Sequence, residues 1–314
     1  MSEEEKAKIA RRKYLRYGGG IVAVAVVAAG GFGAGWMAKP APVVKKPGEG
    51  MYFRLVTHGG DDPFWAVVKK GMMDAVEELG CKADIDLCGG DLALQQKRFL
   101  EAVGMKPDGI ALVVNDPVAW DKPVADALAK GIPVIGMNND DPEGAKGNTR
   151  LFYIGQNERL AGYTIGRRLF EVGKAKGWDL TKAHVHMPVE VPGATYGVVR
   201  SQGIRDAMAE YGITSYEVMD AGGLEMTTVE SRITTYLTAH PETKFVFGLG
   251  GICTDRITSS LKAVGKKPGE ILGGGFDTTP GTLTGLKEGS MEASIDQQQH
   301  LQGYLAVYTL YLHK

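Results

Sequence analysis

Little in these 314 residues is suited to running a reaction. There are three cysteines and six histidines, and no CxxC, HExxH, GxSxG or phosphate-binding GxxxxGK[ST] spacing occurs. A GxGxxG turn is missing after the first strand-like run, and Gly248-Leu249-Gly250-Gly251 lacks the third glycine. No nucleophile, base and orienting group can be assembled into a set. An enzyme is therefore not the expectation, and no cofactor or metal is expected. His184 and His186 would share one face of a strand, but a metal would need partners that the sequence does not show. Cys81 and Cys88 end one extended run, and seven extended residues reach about 23 Å. A disulfide needs α-carbons within about 7 Å, so these two cannot pair while the strand exists. With Cys253 they read as small buried residues.

Basic charge is scarce outside the N-terminus. Residues 1–50 hold 9 Lys and Arg and 4 Asp and Glu, which leaves 36 − 9 = 27 basic and 37 − 4 = 33 acidic residues, a net of −6. A mildly acidic body argues against a nucleic-acid partner, which needs clustered Lys and Arg. A hydrophobic content of 44% with 23% charged residues is ordinary for a globular chain. The length favours two lobes over one core.

The basic head has its own explanation. Lys6, Lys8, Arg11, Arg12, Lys13 and Arg16 precede Gly18 to Trp36, nineteen residues without a charge. That stretch is nearly long enough to span a bilayer core, and the charges before it place the N-terminus in the cytoplasm. Arg11-Arg12-Lys13-Tyr14-Leu15-Arg16 looks like a twin-arginine export signal. A plain signal-anchor, whose arginines only set topology, is the alternative. No clear cleavage site follows, so 1–37 is expected to be a signal or a retained membrane anchor, with 38–50 as a Pro/Gly/Lys linker. The body then lies outside the cytoplasmic membrane.

From Tyr52 onward, short β-rich runs alternate with helical patterns. Phe53–Thr57, Cys81–Cys88, Gly109–Val114, Pro133–Ile135 and Tyr153-Ile154 read as strands, followed by Ala183–Met187, Thr214–Met219, Phe245–Leu249, Ile271–Phe276 and Met291–Ile295. Between and after them, Pro63–Leu79, Leu92–Val103, Val118–Lys130, Glu158–Lys174, Tyr196–Tyr211, Met226–Ala239, Thr254–Val264, Gly281–Lys287 and Gln297–Leu312 read as helices. Strands separated by helices of this length imply parallel sheets with right-handed crossovers. Ligands of such sheets bind beyond the carboxyl ends of the strands, so the informative residues sit in the loops after each strand.

Those loops are rich in groups suited to a polyhydroxylated solute. After the first strand, Asp61 and Asp62 are followed at once by Phe64 and Trp65. Carboxylates accept from hydroxyls, and flat rings cover C–H faces. Asp62 is also suited to capping the helix and the two rings to the core. Asn115 follows the third strand, and Asn138 and Asn139 follow the fourth; such residues are also ordinary turn formers. Glu190 and Tyr196, then Leu224, Asp277 and Gln297, occupy later loops.

The chain from about Tyr52 onward resembles the sugar-binding proteins of bacterial importers, the ribose-binding type of type I periplasmic binding proteins. The resemblance is carried by Asp62-Pro63-Phe64-Trp65, Gly131-Ile132-Pro133-Val134-Ile135, Leu237-Thr238-Ala239-His240-Pro241, Gly275-Phe276-Asp277-Thr278-Thr279-Pro280 and Ala293-Ser294-Ile295-Asp296-Gln297. It implies an α/β fold of two Rossmann-like lobes with parallel sheets flanked by helices and joined by a hinge. Lobe one is expected over 51–156 plus 297–314, and lobe two over 157–296. It also implies that Asp62 stands where the family binds a hydroxyl, that Phe64 and Trp65 are ring-stacking residues, and that Asp277 and Gln297 match directly. Asn138 and Asn139 fall where ribose binders carry Asp-Arg, and Leu224 falls where an aromatic closes the other face. The family arginine of the helix after Gly193 aligns with Val198, and the family asparagine after the Phe245–Leu249 strand aligns with Gly250, so second-lobe contacts are expected to be lost. Glu190 and Tyr196 are candidates to replace them. Ribose itself is then disfavoured against another pentose, a hexose or a polyol.

The resemblance further implies capture by a monomer through hinge closure, with delivery to the permease subunits of an ABC-type importer. It also implies a third crossing and a last strand that the sequence does not reach, which leaves a C-terminally truncated fragment as one reading. A receptor domain reporting to a chemoreceptor or kinase is the rival role, and an α/β sugar-processing enzyme a further one.

Overall fold

The structure, a computed structural model, describes residues 45–116 and 118–314. The expected signal or anchor and the first part of the expected linker lie outside the described residues. No described helix is long and apolar enough to cross a membrane.

Ten strands in two parallel sheets form the frame among the described residues. In the first sheet, β1 (Tyr52–Thr57), β2 (Lys82–Leu87), β3 (Gly109–Leu112), β4 (Val134–Asn138) and β5 (Tyr153–Gly155) lie in the order β2-β1-β3-β4-β5. In the second, β6 (His184–Val189), β7 (Ser215–Asp220), β8 (Thr243–Phe247), β9 (Leu272–Phe276) and β10 (Met291–Ile295) lie in the order β10-β9-β8-β6-β7. Every residue of β3, β4, β6 and β9 is buried, as inner strands covered by helices on both faces must be. The edge strand β7 is mostly exposed.

Alternation along each strand divides the first sheet's core in two. Leu55, Ala111 and Ile135 pack on one face with Trp65, Val68, Met72 and Leu310. Val56, Leu112 and Val134 pack on the other with Phe99, Trp120 and Val124. The covering helices are α1 (Pro63–Leu79), α2 (Leu92–Gly104), α3 (Asp121–Ala129) and the last helix, α9 (Gln299–His313). Around the second sheet run α4 (Glu158–Ala175), α5 (Thr195–Glu210), α6 (Met226–Ala239), α7 (Gly251–Ala263) and α8 (Pro280–Glu288).

Local chemistry sets the bounds of α1. Pro63 opens it without a missing donor, the Asp62 carboxylate caps it, and Gly80 ends it at φ 71° with its N–H on the Val76 carbonyl. Glycines then let α1 and α9 touch backbone to backbone. A β-carbon on Gly71 would overlap the His300 carbonyl oxygen, and one on Gly303 the Val68 carbonyl oxygen. Gly162 and Gly203 do the same for α4 and α5.

The chain leaves the first sheet after Gly155 and returns after Ile295, so α9 covers the sheet that holds β1. At the other end, Gly48 N donates to Leu79 O at 2.8 Å and Lys46 reaches the Glu77 carbonyl. The end of the expected linker is thus held against α1. Cys81, Cys88 and Cys253 are buried free thiols.

Candidate ligand-binding cleft

The loops at the carboxyl ends of both sheets face each other across a cavity. It offers about 80 Å³ of space to the centre of a water molecule, room for several waters or one small solute. The first sheet contributes His58, Asp62, Phe64, Trp65, Asn138 and Asn139 to its walls. The second contributes Glu190, Tyr196, Arg200, Leu224, Asp255, Asp277 and Thr279, and Gln297 stands where the chain returns. The two sides touch. The His58 and Tyr196 rings stack at 5.9 Å between centroids, Thr195 N donates to Asn115 O at 3.4 Å, and Gly60 lies against Leu224.

Asp62 combines the two roles weighed for it. Its Oδ1 accepts from Phe64 N at 3.0 Å and Trp65 N at 3.3 Å, and the side chain also lines the cavity. Burial pushes its carboxyl up, the backbone donors oppose this, and Glu190 adds to the rise. Trp65 is only 4% exposed and packs in the core, edge-on to Phe64 at 5.1 Å. Phe64 is half-buried and lines the cavity.

Two strand ends bend sharply at the cavity. Asn138, at φ 64°, and Asp277, at φ 74°, are left-handed, a conformation that Asn and Asp tolerate better than most residues. Asn138 Nδ2 donates to Gln302 Oε1 at 3.1 Å. Its neighbour Asn139 is 1% exposed, and neither its side-chain nitrogen nor its side-chain oxygen has a protein partner among the described residues. A buried unmade amide is costly. This one lines the cavity, where a hydroxylated solute would satisfy both ends.

A buried network backs the cavity. Arg200 Nε donates to Glu158 Oε2 at 2.5 Å, Nη1 to Leu249 O at 2.8 Å, and Nη2 to Glu158 Oε1 at 3.1 Å and Gln297 Oε1 at 2.8 Å. The guanidinium carbon also lies 4.0 Å from the Phe276 ring centroid. Gln297 Nε2 and Gln299 Nε2 both donate to Asp277 Oδ1, at 2.7 and 3.1 Å. Burial pushes the Asp277 carboxyl up to about 7, while Arg200 and the Gln297 hydrogen bond pull it down. Burial likewise pushes the His58 imidazole down to about 4, with Arg200 beside it adding to the effect, so His58 stays neutral near pH 7. Glu190 accepts from Cys253 N at 2.7 Å and from the Tyr196 hydroxyl at 3.3 Å.

Of the eleven expected contacts, the cavity gathers Asp62, Phe64, Trp65, Asn138, Asn139, Glu190, Tyr196, Leu224, Asp277 and Gln297. Asn115 is not among its walls: its side-chain oxygen is taken by Trp120 Nε1 at 3.1 Å, which holds the indole in the core. The expected loss of second-lobe charge also needs correction. Val198 is 42% exposed and outside the cavity, but Arg200 supplies a guanidinium one helical turn after Tyr196, a spacing that puts both on one face. His58, directly after β1, was missed although the strand-end rule points to it. The His184 nitrogens lie within hydrogen-bond reach of Ser215 Oγ at 2.7 Å and Tyr236 Oη at 2.6 Å, far along β6 from this cavity.

The chain belongs to the periplasmic binding protein domain family, whose family model matches residues 53–314. It is 29% identical over 272 residues to the xylose/arabinose-binding protein XylF of Sulfolobus acidocaldarius, covering 82% of this chain and 65% of that protein, just under two thirds of its length. Among solved structures it is similar to a periplasmic sugar-binding protein of an ABC sugar transporter from Legionella pneumophila, at 27% identity and a TM-score of 0.75 over 83% of this chain and 94% of that one. It is also similar to an ABC transporter solute-binding protein from Burkholderia graminis in complex with D-arabinose, at 26% identity and a TM-score of 0.74 over 85% of this chain and 90% of that one.

Proposed function

We propose that the chain is an extracytoplasmic solute-binding protein that captures a sugar or polyol by hinge closure and delivers it to the permease of an ABC-type importer. Lobe one is 51–156 plus 297–314 and lobe two is 157–296, with the hinge at the two passages between them. The N-terminal segment exports the chain or anchors it to the membrane. It binds and releases its solute and does not transform it.

The observation that carries this reading is Asn139, a buried amide at a cavity wall with no protein partner for either polar end among the described residues. The half-buried Phe64 at the wall, beside carboxylates, suits a solute with hydroxyl edges and C–H faces. The sugar named for the Sulfolobus relative and the D-arabinose in the Burkholderia structure support a monosaccharide-sized solute. A solute shifts the hinge only through contacts it makes in the closed form and lacks in the open one. Asn139 and Phe64 on one side, with Asp277 and Glu190 on the other, would supply them.

Melting temperature against a panel of pentoses, hexoses and polyols tests the reading. A solute at 100 times its Kd adds about 2.7 kcal/mol of stability, a visible shift for one class of compound. A folded protein free of carried-over ligand that no sugar or polyol stabilises would contradict it.

A further inference from the structure

The charges around the cavity do not balance. Among the described residues, four carboxylates line it, those of Asp62, Glu190, Asp255 and Asp277, against one guanidinium, Arg200. Asp255 is paired with Arg256, and Arg200 is paired with Glu158 at 2.5 Å, with Glu158 itself outside the lining. Asp62, Glu190 and Asp277 are left without a cation of their own among the described residues. The outer mouth repeats the sign: Asp61 and Glu225 are exposed there, Asp220 is exposed but paired with Arg232, and no lysine or arginine is among the described residues of its lining.

Excluding water from unpaired carboxylates is costly unless a counter-charge arrives. Neutral hydroxyls supply hydrogen bonds but no charge. Asp277 Oδ2 receives no protein donor among the described residues and lies beside Gly251 at the cavity wall. The buried amide of Asn139, without a protein partner among the described residues, is a second and independent polar group suited to a polar solute in this space. The half-buried Phe64 ring adds a face that attracts a cation.

We infer that the captured solute carries a protonated amine beside its hydroxyls, an amino sugar or an amino polyol. The inference rests on the reading of this cavity as a capture site for sugar-like solutes. The amine brings in the charge that the cavity lacks, so it favours the closed form over the open one. The acidic mouth raises the local concentration of such a cation and speeds its entry. Burial raises the Asp277 carboxyl and Arg200 offsets this only in part, so an arriving ammonium would draw it to the ionised form.

Matched pairs provide the test. The full chain is titrated by calorimetry with D-glucose and D-glucosamine, D-galactose and D-galactosamine, and myo-inositol and an amino-inositol, together with the N-acetylated forms. The amine of at least one pair should bind about tenfold or more tightly than both its hydroxyl parent and its neutral N-acetyl form. That preference should shrink in Glu190→Gln or Asp277→Asn, each first shown to be folded by its melting curve. Parents that bind as tightly as their amines, or more tightly, overturn the inference and leave sugar capture standing. Failure of every member of every pair to bind counts against both.

Discussion

Gln297 Nε2 donates to Asp277 Oδ1 at 2.7 Å, while its own Oε1 accepts from Arg200 at 2.8 Å. One amide at the chain's return to the first sheet thus ties the strand-end carboxylate to the buried Arg200–Glu158 pair. Gln297→Leu keeps much of the volume but leaves both neighbours short of a partner. The expected cost is about 1–3 kcal/mol in denaturant unfolding, with weakened solute binding as well.

Asp277 gives the apo protein a pH signature. Its folded value of about 7 lies above the ordinary 3.8, so the folded state holds the proton more tightly. The stability it contributes is complete below pH 3.8 and is lost as the pH rises through 7. Measured as wild type minus Asp277→Asn, stability should fall between pH 4 and 7 and level off above. A constant difference across that range would mean that Asp277 titrates normally. A solute that donates to this carboxylate prefers the ionised form, so its affinity should climb over the same range.

Asn139 should separate stability from binding. Neither end of its buried amide has a protein partner among the described residues, so Asn139→Leu leaves no protein group short of a hydrogen bond and keeps the volume. Without solute the variant should stay within about 1 kcal/mol of wild type, and it should lose roughly tenfold or more in solute affinity. Melting curves and calorimetry on the same preparation check both halves.

The adjacent rings should behave differently. Trp65 is part of the first core, so Trp65→Ala should cost about 3–5 kcal/mol of folding stability. Its effect on binding cannot be read apart from that loss. Phe64 is half-buried, and Phe64→Ala should cost roughly 1–2 kcal/mol while weakening binding roughly tenfold through the lost ring face.

Much of this architecture was legible in the sequence because parallel strands covered on both faces must be apolar throughout. Gly109–Val114 declared itself in that way, and Pro63 with Gly80 marked both ends of α1. The order of strands within each sheet was not legible, since pairing between distant segments leaves no periodic trace. At the site, the rule that ligands sit past strand ends led to Asp62, Asn139, Glu190 and Asp277. It missed Arg200, which lies inside α5, a helix whose two ends of the network, Glu158 and Gln297, are far away in sequence. It overreached at Asn115 because an asparagine after a strand serves equally well to hold a neighbouring indole. The linker looked featureless, yet Lys46 and Gly48 bond to the end of α1, a contact that no local pattern announces.

The most direct test of the central claim is solution scattering from the chain with and without the sugar or polyol that most raises its melting temperature. Hinge closure on the solute predicts that the radius of gyration falls on saturation, and that the fall is lost or reduced in Asn139→Leu at the same solute concentration. A radius of gyration that stays unchanged with the site shown to be full would contradict capture by closure.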